Sequence, residues 1–263
     1  MAESIKLLER TVAILDSFTL EQPALGVREV ARRTGLSAST AGRLMSVMRR
    51  MGMLNQDPES QLYMMGSKML AWAGIYTVTC DVRSLALPVM VRLQDKTRET
   101  ISLYVLEGKE RVCVERLESP ETVRIVARVG RRIPLYAGSA GKVFLAFMPP
   151  ARRDELLAEI ELKPMTSQTI VEKEKLLANL EEIRRKGYAF SRGEWILDAA
   201  GVAAPIFDQF GRVTAALTIS GPAQRFKEVR IKEMAALVKE GADEISAEMG
   251  FVPRHPQKAQ IYF

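Results

Sequence analysis

The chain has 263 residues, 47% of them hydrophobic and 27% charged. That length suits two ordinary domains, and the composition excludes a largely disordered protein. One histidine, His255, and two cysteines, Cys80 and Cys113, exclude the usual zinc sets and any triad needing a well-held imidazole.

No apolar run reaches the roughly 18–20 residues that a membrane span needs. Charges interrupt the first segment (Glu3, Lys6, Glu9, Arg10), so no signal peptide is expected and the cytoplasm is the expected location. No metal or cofactor is expected, and the two cysteines read as reduced, half-buried core residues. The net charge of +6 permits an anionic partner. Its distribution says more: Arg28–Arg50 holds six arginines against one acid, Glu29.

Taken in chain order, residues 4–18 predict an amphipathic helix with Ile5, Leu8, Val12 and Leu15 on one face, broken at Glu21-Gln22-Pro23. Val27–Thr34 predicts a short second helix stopped by Gly35. Ser37 then suits the N-cap of a third helix running to about Met51. At 100° per residue from Ser39, Arg43 falls at about 40°, Ser46 at about −20° and Arg50 at about 20°. Ala41, Leu44, Met45, Met48 and Met51 fall on the opposite side.

Two short helices joined through a glycine, the second with hydroxyls and arginines on one face, form a helix-turn-helix pattern. Ser37, Ser39 and Thr40 stand at a helix N-terminus, where phosphates or base edges are bonded, and Arg43 has the length to reach a guanine edge. Arg28, Ser46, Arg49 and Arg50 complete the candidate DNA surface. A strand from Met53-Leu54, a turn at Asn55–Ser60 and a returning strand Gln61–Met64 predict a wing. Gln56, Ser60 and Gln61 are its candidate contacts with DNA.

Helices are predicted from Ser67 to about Tyr76 and from Asp81 to about Lys96. Strands follow at Thr100–Leu106, Arg111–Leu117 and Thr122–Val126. Helices at about 139–147, 151–158 and 172–186 precede strands Tyr188–Ser191, Val202–Phe207 and Val213–Ser220, and a last helix spans about 226–249. Hairpin-linked strands with helices between them predict an antiparallel sheet, hence an α+β class. The expected division is a winged helix-turn-helix at 1–66, a linker helix at 67–79, an effector domain at 80–250 and a polar tail at 251–263.

The small residues Gly138-Ser139-Ala140-Gly141 open a predicted helix, where free N–H groups suit a carboxylate. Equally, they let a helix and a sheet pack closely. The segment is no phosphate-binding loop, because Val143 stands at the Ser/Thr position, and it lacks the spacing of a nucleophile elbow. Ser191 and Glu194, near a probable inner strand, are candidates for a ligand's other end. Ser220 either adds a hydroxyl or caps a strand.

Several motifs resemble the IclR family of bacterial transcriptional regulators. They are Gly35-Leu36-Ser37-Ala38-Ser39-Thr40-Ala41-Gly42-Arg43-Leu44, Leu135-Tyr136-Ala137-Gly138-Ser139-Ala140-Gly141-Lys142, Gly201-Val202-Ala203-Ala204-Pro205-Ile206-Phe207-Asp208 and Ala215-Ala216-Leu217-Thr218-Ile219-Ser220-Gly221-Pro222. The resemblance implies a GAF-like C-terminal domain that binds a small effector, with an effector carboxylate at the 138–141 helix start. It places Ser191 and Gly201 where relatives present ligand contacts. Relatives often carry an acid at the first position and a cysteine or another polar residue at the second. Gly42 also departs from the family, which has a larger side chain there. The resemblance implies a double-stranded operator as partner, a small organic acid as effector, and a homodimer or dimer of dimers. An enzyme fused to a DNA-binding domain and an effector-free DNA scaffold are the competing readings.

Overall fold

The computed structural model describes residues 2–19, 21–79, 81–125 and 128–253, and the chain divides into two compact units, 1–79 and 80–263. The predicted contexts of Cys80 and His255 lie outside the described residues.

The first unit contains α1 (Ala2–Asp16), α2 (Val27–Thr34), α3 (Ala38–Arg50), β1 (Leu54–Gln56), β2 (Tyr63–Met65) and α4 (Ser67–Thr79). Gly35 ends α2 in the left-handed conformation, φ 69°, and Ser37 begins α3 by accepting the Thr40 N–H. The β1–β2 hairpin pairs antiparallel, and Leu25 exchanges two backbone bonds of 2.9 Å with Tyr63. Ile14, Leu25, Val30, Ala41, Met45, Met48, Leu54 and Tyr63 form the core.

The predicted inner face of α1 is half-buried only at Leu15, while the side chain of Ile5 lies outside the described ones. Leu8 and Val12 are exposed, whereas Ile14 is fully buried, with Leu15 and Phe18 packed beside it. Only the last turn of α1 reaches the α2–α3 pair, so periodicity along the whole helix misidentified its contact.

The second unit is a six-stranded antiparallel sheet with helices on both faces. Its elements are α5 (Val82–Thr97), β3 (Thr100–Glu107), β4 (Glu110–Leu117), β5 (Arg132–Pro134), α6 (Ser139–Phe147), α7 (Pro150–Glu159), α8 (Lys173–Lys186), β6 (Ala189–Arg192), β7 (Ala199–Phe207), β8 (Val213–Pro222) and α9 (Glu228–Glu248). The strand order is β5-β4-β3-β8-β7-β6. One face packs on α6 and α8 through Tyr104, Leu135, Phe144, Leu180 and Ala216. The other packs on α5 and α9 through Met90, Leu103, Val202, Leu217 and Val238. Cys113 is fully buried, deeper than the half-buried position expected.

The predicted strand at Thr122–Val126 is absent over its described residues, and Arg132–Pro134 pairs with β4 instead. Arginine side chains capture the carbonyls of this loop: Arg225 donates to Val123 and Arg116 to Ile125. Val123 is left exposed, so its β-branched side chain reports no sheet face.

Candidate functional sites: a polar helix face and a pocket beside α6

Helix α3 turns Ala41, Leu44, Met45 and Met48 into the core and leaves Ser39, Arg43, Arg49 and Arg50 exposed. Ser46 is half-buried, and Met51, expected on the inner side, is 54% exposed because it caps the end of the helix instead of continuing its inner face. At the helix start, Ser37 Oγ accepts the Thr40 N–H at 3.2 Å and donates to Thr40 Oγ1 at 2.9 Å. These two candidate contacts therefore brace each other.

The arginines fall into two groups. Arg32 and Arg33 are held by Glu29 at 2.6 and 2.7 Å. Hydrogen bonds from Arg32 and then Arg33 pull the Glu29 carboxyl down to about 2. Arg28, Arg43 and Arg50 have no ion pair or hydrogen bond among the described residues, and Arg49 donates only to Gln56, at 3.2 Å. The free cations thus lie on one face of α3 with Arg28 of α2.

The wing is held by its own polar side chains. Asp57 Oδ1 accepts from the Ser60 N–H and hydroxyl, each at 2.7 Å, and these bonds hold its carboxyl below the ordinary aspartate value. Gln56 Nε2 donates to the Gln61 carbonyl at 3.2 Å, while Gln61 Nε2 donates to the Pro58 carbonyl at 2.8 Å. All three candidate wing contacts therefore take part in the turn's own bonding.

In the second unit, α6 opens at Gly138, whose φ of 84° favours a residue without a Cβ. Two of the helix-start N–H groups expected to face a ligand are taken by the protein itself. The Gly138 N–H donates to Glu194 Oε2 and the Ser139 N–H to Ser191 Oγ, each at 2.9 Å. Glu194 also pairs with Lys142 at 2.5 Å, and both side chains are over nine-tenths buried. Thr169 Oγ1 fixes the backbone of Glu194 by donating to its carbonyl at 2.7 Å. The protein's own carboxylate thus fills the anion position that the helix dipole favours.

Beside this helix start lies a cavity of about 80 Å³. Of the candidates, Gly138, Ser139, Ala140, Ser191, Glu194, Gly201 and Ser220 line it. Gly141 does not: a Cβ there would stand 2.2 Å from the Leu135 carbonyl oxygen, so its role is close packing. A Cβ at Gly201 would come within 3.3 Å of Ser139 Oγ, so the glycine keeps this wall open.

Sequence reading missed Tyr104, Arg111, Arg116 and Thr218 in the wall. A register shift between Leu103 and Tyr104 explains Arg116. Arg111 and Cys113 share a face by alternation, and the irregularity then brings residue 116, rather than 115, opposite Ser102 on that face. No signal in strand alternation marks such a change. An open groove of about 630 Å³ runs past Lys96, Arg225 and Arg230. Its charges are partly matched, since buried Glu99 holds Arg225 at 2.6 Å and Arg230 at 3.5 Å.

Among the described residues, no group of three His, Cys, Asp or Glu side chains is placed to hold a metal, and no helix is long and apolar enough to cross a membrane.

Two sequence profiles match the chain: the IclR helix-turn-helix domain over residues 7–58 and the bacterial transcriptional regulator IclR C-terminal domain over residues 75–247. The chain belongs to the IclR family. It is 32% identical to the HTH-type transcriptional regulator KipR of Bacillus subtilis over 251 residues, covering 95% of this chain and 100% of that one. The HTH-type transcriptional repressor AllR of Escherichia coli is 31% identical, covering 95% and 92%. An IclR homolog from Microbacterium hydrocarbonoxydans, solved as a complex with 4-hydroxybenzoate, is 31% identical with a TM-score of 0.59, covering 92% and 98%. This IclR protein is therefore a DNA-binding transcriptional regulator with an effector domain, and not an enzyme.

Proposed function

We propose that this regulator is a repressor that binds a pseudo-palindromic operator as a dimer or dimer of dimers and responds to a small organic acid. The observation that carries the DNA half is the row of unengaged cations, Arg28, Arg43 and Arg50, around a helix whose opposite face is core. Helix α3 enters the major groove, with Arg43 as the base-reading side chain, and the wing lies along the backbone. Ser37, Ser39, Thr40, Ser46 and Arg49 supply phosphate or base-edge contacts. Two-fold symmetry places half-sites about one helical turn, or a multiple, apart. Residues 67–79 serve as the linker, and a protein acting on chromosomal DNA works in the cytoplasm.

The repressor name of AllR supports repression, and the 4-hydroxybenzoate complex of the Microbacterium protein supports an acid effector. An effector works here only by binding one arrangement of the reading heads more tightly than another.

Fluorescence anisotropy on the DNA upstream of the protein's own gene tests the DNA reading. Arg43→Ala is expected to weaken specific binding by about 1–3 kcal/mol and relax preference at one base pair. Equal weakening on every sequence makes Arg43 a phosphate contact instead. Wild-type affinity that stays flat as salt is raised overturns groove docking.

A further inference from the structure

Five buried side-chain polar atoms among the described residues have no hydrogen-bond partner, and three of them belong to residues that line the cavity beside α6: Arg111 Nε, Arg116 Nε and Thr218 Oγ1. Such orphans are rare in folded proteins, and their convergence calls for a binding partner. Sheet register explains the convergence. Arg116, Ser102 and Thr218 stand in one row across β4, β3 and β8, and Ser220 and Gly201 stand in the next row.

The charges in the cavity are unequal. Lys142 and Glu194 neutralise each other. Arg111 is 4% exposed and forms no ion pair among the described residues; its Nη1 donates to the carbonyls of Pro134 and Ala137 at 2.9 and 2.6 Å. Burial pulls its pKa down to about 10, which still leaves it charged at neutral pH. The Arg116 side chain is 3% exposed, and its Nε lies 4.0 Å from Glu118, a carboxylate that Arg124 holds at 3.1 Å. A guanidinium does not shed its proton to relieve burial, so the matching charge has to come from outside. An incoming acid meets an already matched ion pair at the helix start and two incompletely matched positive charges on β4.

We propose that the ligand of this cavity is a short dicarboxylate, with one carboxylate received by Arg111 and the other by Arg116 beside the Thr218 hydroxyl. A volume of about 80 Å³ accommodates roughly five to eight water-sized groups, which suits a chain of about three to five carbons. The assignment rests on reading the cavity as the effector site, and it moves the acid from the helix start to strand β4.

Calorimetric titration of the full-length protein with malonate, succinate and glutarate, each against its monoamide, tests the assignment. At least one diacid is expected to bind roughly ten- to a hundredfold tighter than its monoamide, the range of one charge-assisted contact. Arg116→Gln is expected to abolish that preference while leaving the Arg111 bonds to the 134–137 loop in place, and Arg116→Lys to restore part of it. Ser139→Trp, which fills the cavity, is expected to remove binding of every acid.

Equal binding of diacid and monoamide overturns the dicarboxylate, and a preference that survives Arg116→Gln overturns the placing of its second carboxylate at Arg116. If Ser139→Trp still abolishes that binding, the cavity stands as the effector site. Binding that Ser139→Trp leaves unchanged overturns the cavity reading as well. Failure of the whole series to bind a protein shown to be folded by circular dichroism also overturns the dicarboxylate.

Discussion

On α3, Arg43 and Arg50 project from the surface with no bond to any described residue, whereas Lys142 and Glu194 of the effector domain are buried against each other. The first arrangement leaves side chains free for an external polyanion and makes little demand on folding. The second ties the entrance of α6 to the loop after β6, so removing one partner strands the other in a low-dielectric interior. Charge in the winged unit is therefore available to DNA, while much of the charge around the cavity is committed to the architecture. Arg111 and Arg116 are the exceptions, buried yet incompletely matched.

Breaking the committed pair gives the largest expected effect. Glu194→Gln is expected to destabilise the effector domain by about 3–5 kcal/mol in urea unfolding, because Lys142 is left buried and unpaired. Adding Lys142→Met in the same chain is expected to recover part of that loss. An effect below about 1 kcal/mol for Glu194→Gln makes the pair a solvated one and erases the contrast with α3.

Smaller effects sharpen the other side. Ser37→Ala removes the acceptor for the Thr40 N–H and is expected to cost the winged unit about 1 kcal/mol, read as a lower unfolding midpoint. Gly42→Ala is expected to stabilise that unit by up to about 1 kcal/mol. A Cβ there meets only Val27, at 3.4 Å. A loss of operator affinity without loss of stability in Gly42→Ala instead places the DNA backbone against residue 42.

Acid titration gives the smallest effect. The Glu29 carboxyl is lowered in the folded state to about 2 from an ordinary value of 4.5, so its stabilising contribution is present above 4.5 and is lost as pH falls toward 2. Glu29→Gln is expected to flatten that part of the stability–pH curve, measured by thermal unfolding across the acid range. An unchanged curve shows that Arg32 and Arg33 do not hold the carboxylate in solution.

The helix-turn-helix was legible because its determinants are local. Gly35 and Ser37 set the ends of α2 and α3 within a few residues, and the buried positions of α3 recur at helical spacing. The small-residue start of α6 was legible for the same reason. The occupants of its N–H groups were not, since Ser191 and Glu194 arrive from more than fifty residues away. Thr122–Val126 read as a strand because β-branched residues alternate there, and nothing local reveals that Arg225 and Arg116 take its carbonyls.

The amino-acid order alone determined the family, the two-part organisation and the exposed polar face of α3, because turn residues, caps and periodicity act over one or two turns of chain. Tertiary structure decided which side of α1 is covered, that Glu194 occupies the α6 entrance, and that Arg111 and Arg116 converge on one cavity. Those outcomes depend on sheet register and on side chains distant in sequence. One irregularity between Leu103 and Tyr104 changes which β4 residue faces inward, and no local pattern encodes it.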